Sequence, residues 1–317
     1  MRAAASDTPS SSSEGPTGSG AVQKASPEAS RQSLIVAGAL LAVYVVWGST
    51  YYAMRVALED LPPFLMAGPR FLFAGGALML WQRFRGAPFP TARQWLAATA
   101  VGFLLLVCGN GFVAIAERSV DTGVAATVVA TMPLWAAAVG LFWGEKPSAR
   151  EFVGLVAGFA GVAILNRGGN LSFSSTDAIA LVIAPITWAF GSVWSRRLPM
   201  PAGTMGPAAQ MVSGGVMMIG IALVRGEHPH GPLSVSGILA LAYLVTFGSM
   251  LGFSAYGYLL RTTRPSIATS YAYVNPLVAL GIGAVLAGER FTMTKLAACL
   301  LTIVGVLVVS YRKSARR

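Results

Sequence analysis

Apolar residues in this chain gather in long runs separated by short polar stretches. A helix needs ~20 apolar residues to cross the hydrocarbon core of a bilayer. Ten runs approach that length. Five lie at 34–54, 64–81, 95–116, 124–143 and 152–166, and five at 178–194, 204–224, 238–260, 267–287 and 296–311. The pattern predicts an all-α membrane protein with ten transmembrane helices. Residues 1–33 are rich in Ser, Ala, Pro and Gly without an apolar run, and read as a disordered cytoplasmic tail. They lack the charged start and short apolar core of a cleavable signal, so 34–54 is expected to act as an uncleaved first span.

Charge supports the count. With ten crossings and the N-terminus inside, the inner loops and span flanks hold 14 basic residues and the outer loops 6. If the short fifth run failed to cross, every later loop would change sides and the split would become 10 to 10. The positive-inside bias therefore favours ten spans with both termini cytoplasmic.

Composition agrees and narrows the class. Hydrophobic residues make up 55% and charged residues 11%, with mean hydropathy +0.64, whereas soluble domains carry about 25% charge. The net charge of +11 is spread over short loops, as the loop bias produces in any multispanning protein, and does not point to nucleic acid. Cys108 and Cys299 both lie in apolar runs and imply no disulfide framework.

The two halves repeat. A shift of 143 residues pairs Arg118 with Arg261, Ala125 with Ala268 and Pro133 with Pro276. One residue more pairs Gly144-Glu145 with Gly288-Glu289 and Gly161 with Gly305, while Trp47 pairs with Trp188, Arg55 with Arg196 and Gly75-Gly76 with Gly214-Gly215. An odd number of spans per half inverts the second relative to the first. The expected fold is thus two inverted five-helix repeats, 34–166 and 178–311. Pro133 and Pro276 each interrupt an apolar run that ends at Gly-Glu. A proline removes a backbone donor and clashes with the preceding turn, and paired interrupted helices are the best sequence pointer to a transporter's binding site.

Trp47-Gly48-Ser49-Thr50 followed by Arg55, Ala67-Gly68-Pro69-Arg70-Phe71, and the paired Pro…Gly-Glu helices resemble the EamA-type branch of the drug/metabolite transporter superfamily. The first 80 residues of the membrane part look closest to a YedA-like subgroup of inner-membrane exporters. The likeness covers essentially 34–312. It implies a multi-pass protein of the inner (plasma) membrane that exports small metabolites or drugs by alternating access, driven by an ion gradient (proton or sodium) or by a counter-substrate. One departure stands out: Pro133 to Glu145 is one residue shorter than Pro276 to Glu289.

Candidate site residues follow from polarity at depth. Arg70 is the cation well inside a span, where charge is costly and usually functional; it either faces substrate or gates, or is structural and snorkels outward. Trp47, Tyr51, Trp188, Tyr271 and Tyr273 either wall a cavity or belong to interfacial aromatic belts, as Trp81, Trp95, Trp143 and Trp194 at span ends do. Asn110 and Asn275 must bond a neighbouring helix or face the substrate, because an unpaired amide in a span costs several kcal/mol. Pro133 and Pro276 are the expected helix breaks or hinges. Glu145 and Glu289 sit at the unfavourable end of the helix dipole, which calls for a basic partner such as Arg150 or Arg290 and suggests a gating or structural lock. Gly154 and Gly158, four apart, permit close helix approach.

No mid-span Asp, Glu, His or Lys is present, so an ordinary carboxylate proton relay is not expected at the membrane centre. His228 and His230 have no ligand cluster around them, and no phosphate-cradling loop or nucleophile–base pattern occurs. No cofactor, no metal and no catalytic residue is expected. A channel would show a filter or charged ring. The reading is a secondary transporter for neutral, zwitterionic or carboxylate metabolites such as amino acids, with a multidrug or cationic-compound exporter of the same fold as the alternative, and a channel or membrane enzyme behind both. Partners would be the small-molecule substrate, a coupling ion or counter-substrate and the lipid bilayer, with a homodimer left open.

Overall fold

In the computed structural model, residues 27–119, 125, 128–165 and 175–287 are described, together with 297, 300, 301, 303–305 and 308. Their regular secondary structure is entirely helical. Six helices are long and apolar enough to span: α1 (Pro27–Asp60), α2 (Pro63–Phe84), α3 (Ala92–Ala116), α6 (Ser175–Ser195), α7 (Met205–Val224) and α8 (Val235–Thr262). The shorter ones are α4 (Met132–Leu141), α5 (Ala149–Leu165), α9 (Pro265–Ala268) and α10 (Tyr271–Ala287). The chain is a multi-pass membrane protein. The described residues of the run at 296–311 are helical, while Glu289 and the tail before residue 27 lie outside the described residues.

Residues 27–33, expected to belong to the disordered tail, are instead the first turns of α1. Pro27 suits a helix's first position, and Glu28, Ala29, Arg31 and Gln32 are good helix formers. At its 34 residues α1 is about 51 Å long at 1.5 Å per residue, so it reaches well beyond a ~30 Å core. Helix starts are set locally: Thr91 and Gln94 form a reciprocal capping box on α3, and the Ser234 hydroxyl caps α8 at the Gly237 N–H. Gly144, at φ 76°, takes the left-handed turn just past the end of α4.

Packing interleaves the halves. α1 lies against α8 and α10, while α6 lies against α3 and α4. The α2–α7 crossing is made by glycines: a Cβ on Gly75 would sit 2.7 Å from the Val212 amide, and one on Gly215 would sit 2.8 Å from the Gly68 carbonyl. Gly305 rests on the backbone of Gly154 and Gly158 in α5, so that pair serves packing within the chain. α3 and α8 each widen into a π-helix, over Phe103–Gly111 and Leu244–Leu251 respectively. Such stretches are rare and gather at functional sites.

The two proline breaks differ. In the first half the helical residues Val128 and Val129 end in a turn at Ala130–Thr131, so the run is interrupted immediately before Pro133, which sits second in α4 where the missing donor is tolerated. The second-half break needs correction. α10 runs unbroken through Pro276. The interruption lies earlier, between α9 and α10, where Thr269 and Ser270 make a turn closed by i→i+3 bonds from Ala272 to Thr269 and from Tyr273 to Ser270. Both turn hydroxyls bond back to carbonyls, Thr269 to Pro265 and Ser270 to Ile267, which satisfies groups that lipid cannot.

Candidate functional site

A cavity of about 60 Å³ lies where the halves meet. Helical spacing builds its walls: Trp47, Thr50, Tyr51 and Met54 form one stripe of α1, Asn110 and Val113 one face of α3, and Tyr271 and Asn275 one face of α10. Arg70 comes from α2, Trp188 and Pro185 from α6, and Phe253 from α8. The volume holds a few waters. An amino acid would need the walls to part.

Seven expected residues, Arg70, Trp47, Tyr51, Asn110, Trp188, Tyr271 and Asn275, line this one cavity. Tyr273 does not. Two residues from Tyr271 is a turn of about 200° around the helix, and its ring packs on Gly158 in a separate cluster with Ala130 and Leu155. Its hydroxyl donates to the Leu155 carbonyl at 3.2 Å. Tyr273 is a packing residue.

Arg70 does not snorkel. It is 4% exposed; its Nε donates to the Ser249 hydroxyl at 2.9 Å, and its guanidinium carbon stands 4.6 Å from the centre of the Phe71 ring. Nη1 is buried without a hydrogen-bond partner. Ser249 belongs to the π-helix of α8, and a Cβ at neighbouring Gly248 would come 3.3 Å from Nη2. No carboxylate pairs with Arg70 among the described residues. A buried charge left unpaired costs several kcal/mol, so this donor is poised for an anionic or strongly polar group.

The aromatic wall is one connected cluster. Trp47 lies 4.7 Å from Tyr271, 5.1 Å from Tyr256 and 5.6 Å from Trp188, centre to centre. Edge-to-face contacts of this kind add about 0.5–1.5 kcal/mol each beyond their buried area. The indole N–H groups are spent within the protein: Trp47 donates to the Gly248 carbonyl at 2.9 Å, and Trp188 to the Tyr256 hydroxyl at 3.2 Å. Each indole lies on a glycine of the other half, Trp47 on Gly252 and Trp188 on Gly109, where no side chain fits. The pairing is reciprocal and matches the sequence repeat.

Asn110 and Asn275 each leave a buried side-chain oxygen without a partner. Together with Arg70 Nη1 the cavity presents one unpaired donor and two unpaired acceptors. Glu117, one residue past the end of α3, has both carboxylate oxygens buried and unpartnered as well. It lies outside the mid-span positions at which polarity in an apolar run is a signal. Thr50 and Met54 share the stripe of Trp47 and Tyr51 and were legible by periodicity. Pro185, the proline that actually faces the cavity, carried no signal beyond lying in an apolar run.

Glu145 is locked, and among the described residues its ion-pair partners are Arg197 and Arg196 in place of the expected Arg150; Arg290 lies outside the described residues. Arg197 donates to it at 2.7 Å and Arg196 approaches to 3.5 Å, while the Arg197 guanidinium lies 4.7 Å from the Trp143 ring centre. A second lock was not anticipated. Glu151, with 8% of its side chain exposed, accepts from Arg264 at 2.9 Å and from the Ser266 hydroxyl at 3.2 Å, tying α5 to α9. Burial raises its carboxyl, but the Ser148 N–H, Arg264 and the Ser148 hydroxyl outweigh that and hold it below the ordinary glutamate value.

Residues 34–167 and 176–311 both match the EamA-like transporter family. The chain is 43% identical over 284 residues to the "Uncharacterized inner membrane transporter YedA" of Escherichia coli K12, covering 89% of this chain and 93% of that one. It is 25% identical to a WAT1-related chloroplastic protein of Arabidopsis thaliana, over 86% of this chain and 68% of that one. A crystal structure of another protein shares the fold with a TM-score of 0.71 at 19% identity, over 88% of this chain and 97% of that one.

Proposed function

The chain belongs to the EamA-like transporter family, and on that premise we propose that it is an inner-membrane secondary transporter exporting zwitterionic or carboxylate-bearing metabolites of amino-acid size. The observation that carries the substrate class is the buried Nη1 of Arg70, unpaired and without an ionised partner among the described residues. A guanidinium offers forked donors to a carboxylate, and charge-assisted bonds are roughly twice as strong as neutral ones. The unpartnered oxygens of Asn110 and Asn275 suit a substrate ammonium, and the Trp47–Trp188–Tyr271 wall suits an apolar side chain.

Alternating access is the mechanism in this reading, with ten spans in two inverted repeats and both termini cytoplasmic. The reciprocal indole–glycine contacts, the two π-helices and the glycine crossing of α2 and α7 support it, since each element of one half has a counterpart in the other. Substrate enters from one side, the halves rock about the cavity, and the Glu145–Arg197 and Glu151–Arg264 locks hold one arrangement. The aromatic cluster also favours a second reading, export of organic cations through cation–π contacts worth about 0.5–2 kcal/mol each.

Transport of an amino acid and its neutral amide, side by side in proteoliposomes, separates the two. Arg70→Gln is expected to cut amino-acid transport tenfold or more relative to the amide, from the several kcal/mol lost when a buried charge pair loses one partner. Equal losses would make Arg70 structural. Strong export of a permanent cation with Arg70 intact would install the second reading.

A further inference from the structure

We propose that Glu117 is a proton-binding site that couples closure of one end of the cavity to proton uptake. This rests on the transport reading above and names its coupling ion. Asn110 and Val113 line the cavity, and Glu117 follows on the same face of α3 at the next turn. Its side chain therefore lies at the end of the cavity, beyond Val113. The end is the external one in the proposed topology.

Among the described residues the groups around it are few. α1 presents Tyr51, a cavity residue whose phenol feels the Glu117 charge, and Arg55, one turn further on. α6 presents Asp177, to which the Ser119 hydroxyl donates. α2 presents Arg70, which faces the cavity itself, and Arg118 follows Glu117 on its own segment. Arg55 is exposed and makes no ion pair with Glu117 among the described residues. Neither carboxylate oxygen has a hydrogen-bond donor among the described residues.

An ionised carboxylate buried without a donor is costly, and such a group takes up a proton instead. Burial pushes the Glu117 carboxyl up to about 8, against the opposing pull of the Arg55 guanidinium. In the state open to the outside, water reaches both oxygens, Arg55 can pair with them, and the side chain is ionised. Closing that end over the emptied cavity removes water and Arg55, so a proton must bind from outside and the side chain becomes the neutral acid. Opening to the cytoplasm admits water through the cavity, and Glu117 ionises and releases that proton inside. The loaded transporter then moves outward with Glu117 ionised, the substrate ammonium in the cavity offsetting its charge. One proton enters for each substrate exported, which is antiport.

The test does not need the substrate. Trp47 and Trp188 lie in the cavity wall and report its state, so intrinsic fluorescence of the purified full-length protein is titrated from pH 5 to pH 10. Wild type is expected to show one transition with a midpoint near 8. Glu117→Gln should abolish it, and Arg55→Gln should move it to higher pH, because the cation that favours ionisation is gone. A transition unchanged in both variants overturns the proposal. In proteoliposomes, the ratio of leucine efflux with and without an inward proton gradient should exceed one in wild type and fall to one in Glu117→Gln; a ratio that survives the substitution also overturns it. If leucine, glutamate and their amides are all refused while the fluorescence transition behaves as expected, the substrate reading fails and the proton site stands.

Discussion

Gly252 supports Trp47, and a single methyl placed there tests the architecture of the cavity wall. In an ordinary helix Gly→Ala is favourable by about 0.5–1 kcal/mol. At Gly252 the new Cβ would fall on the indole nitrogen of Trp47, inside any real contact distance, so the ring must move. Trp47 is 6% exposed and packed against Phe253, Tyr256, Tyr271 and Trp188, so it can yield only toward the small cavity it lines. Overpacking of this kind costs about 1–3 kcal/mol. Displacement also breaks the indole bond to the Gly248 carbonyl, and an unsatisfied buried pair adds about 1–3 kcal/mol. After subtracting the helix gain, Gly252→Ala is expected to destabilise by about 1–5 kcal/mol, a fall on the order of 5 °C in the detergent melting midpoint. Transport should fall with it. Gly220→Ala on α7, where a Cβ meets nothing within 4 Å, is the comparison and should be neutral or slightly stabilising. Adding Trp47→Phe to Gly252→Ala should recover part of the melting midpoint without recovering transport. If Gly252→Ala melts and transports like Gly220→Ala, the indole does not sit on that glycine and the reasoning fails.

Two further outcomes are expected. In a background lacking Cys108 and Cys299, a cysteine at His230 should react with an impermeant thiol reagent applied to intact cells, and a cysteine at Ser13 should react only after permeabilisation; equal labelling would remove the ten-span topology. Glu151, held below the ordinary glutamate value, contributes stability that is complete above the unfolded-state value of about 4.3 and is lost as pH falls through the lower folded value. The wild-type melting midpoint should therefore drop more steeply than that of Glu151→Gln below about pH 4, and parallel curves would refute the lock.

Much of this protein is written in one dimension. Span positions follow from apolar run length, because lipid demands that every backbone group be satisfied within a helix, and the long helices fall on the expected runs. The repeat too is legible, since Trp47 and Trp188 recur at matching places in the two halves, and polarity at depth picked out Arg70, Asn110 and Asn275. What the chain alone left open is direction around each helix and depth at each end. Tyr271 and Tyr273 look equivalent in sequence, yet a rotation of about 200° sends one into the cavity and the other onto Gly158. Pro276 looked like the break, but the turn formed at Thr269–Ser270, where the two hydroxyls find acceptors in the Pro265 and Ile267 carbonyls of their own segment. Glu145 found Arg197 and not its sequence neighbour Arg150, because ion pairs form between helices that packing brings together. Glu117 shows the difference most plainly. In sequence it is one more acid at a helix end; only the elements packed around it remove water from both its oxygens, and burial, not residue type, decides whether a carboxylate is a solvated charge or a proton carrier.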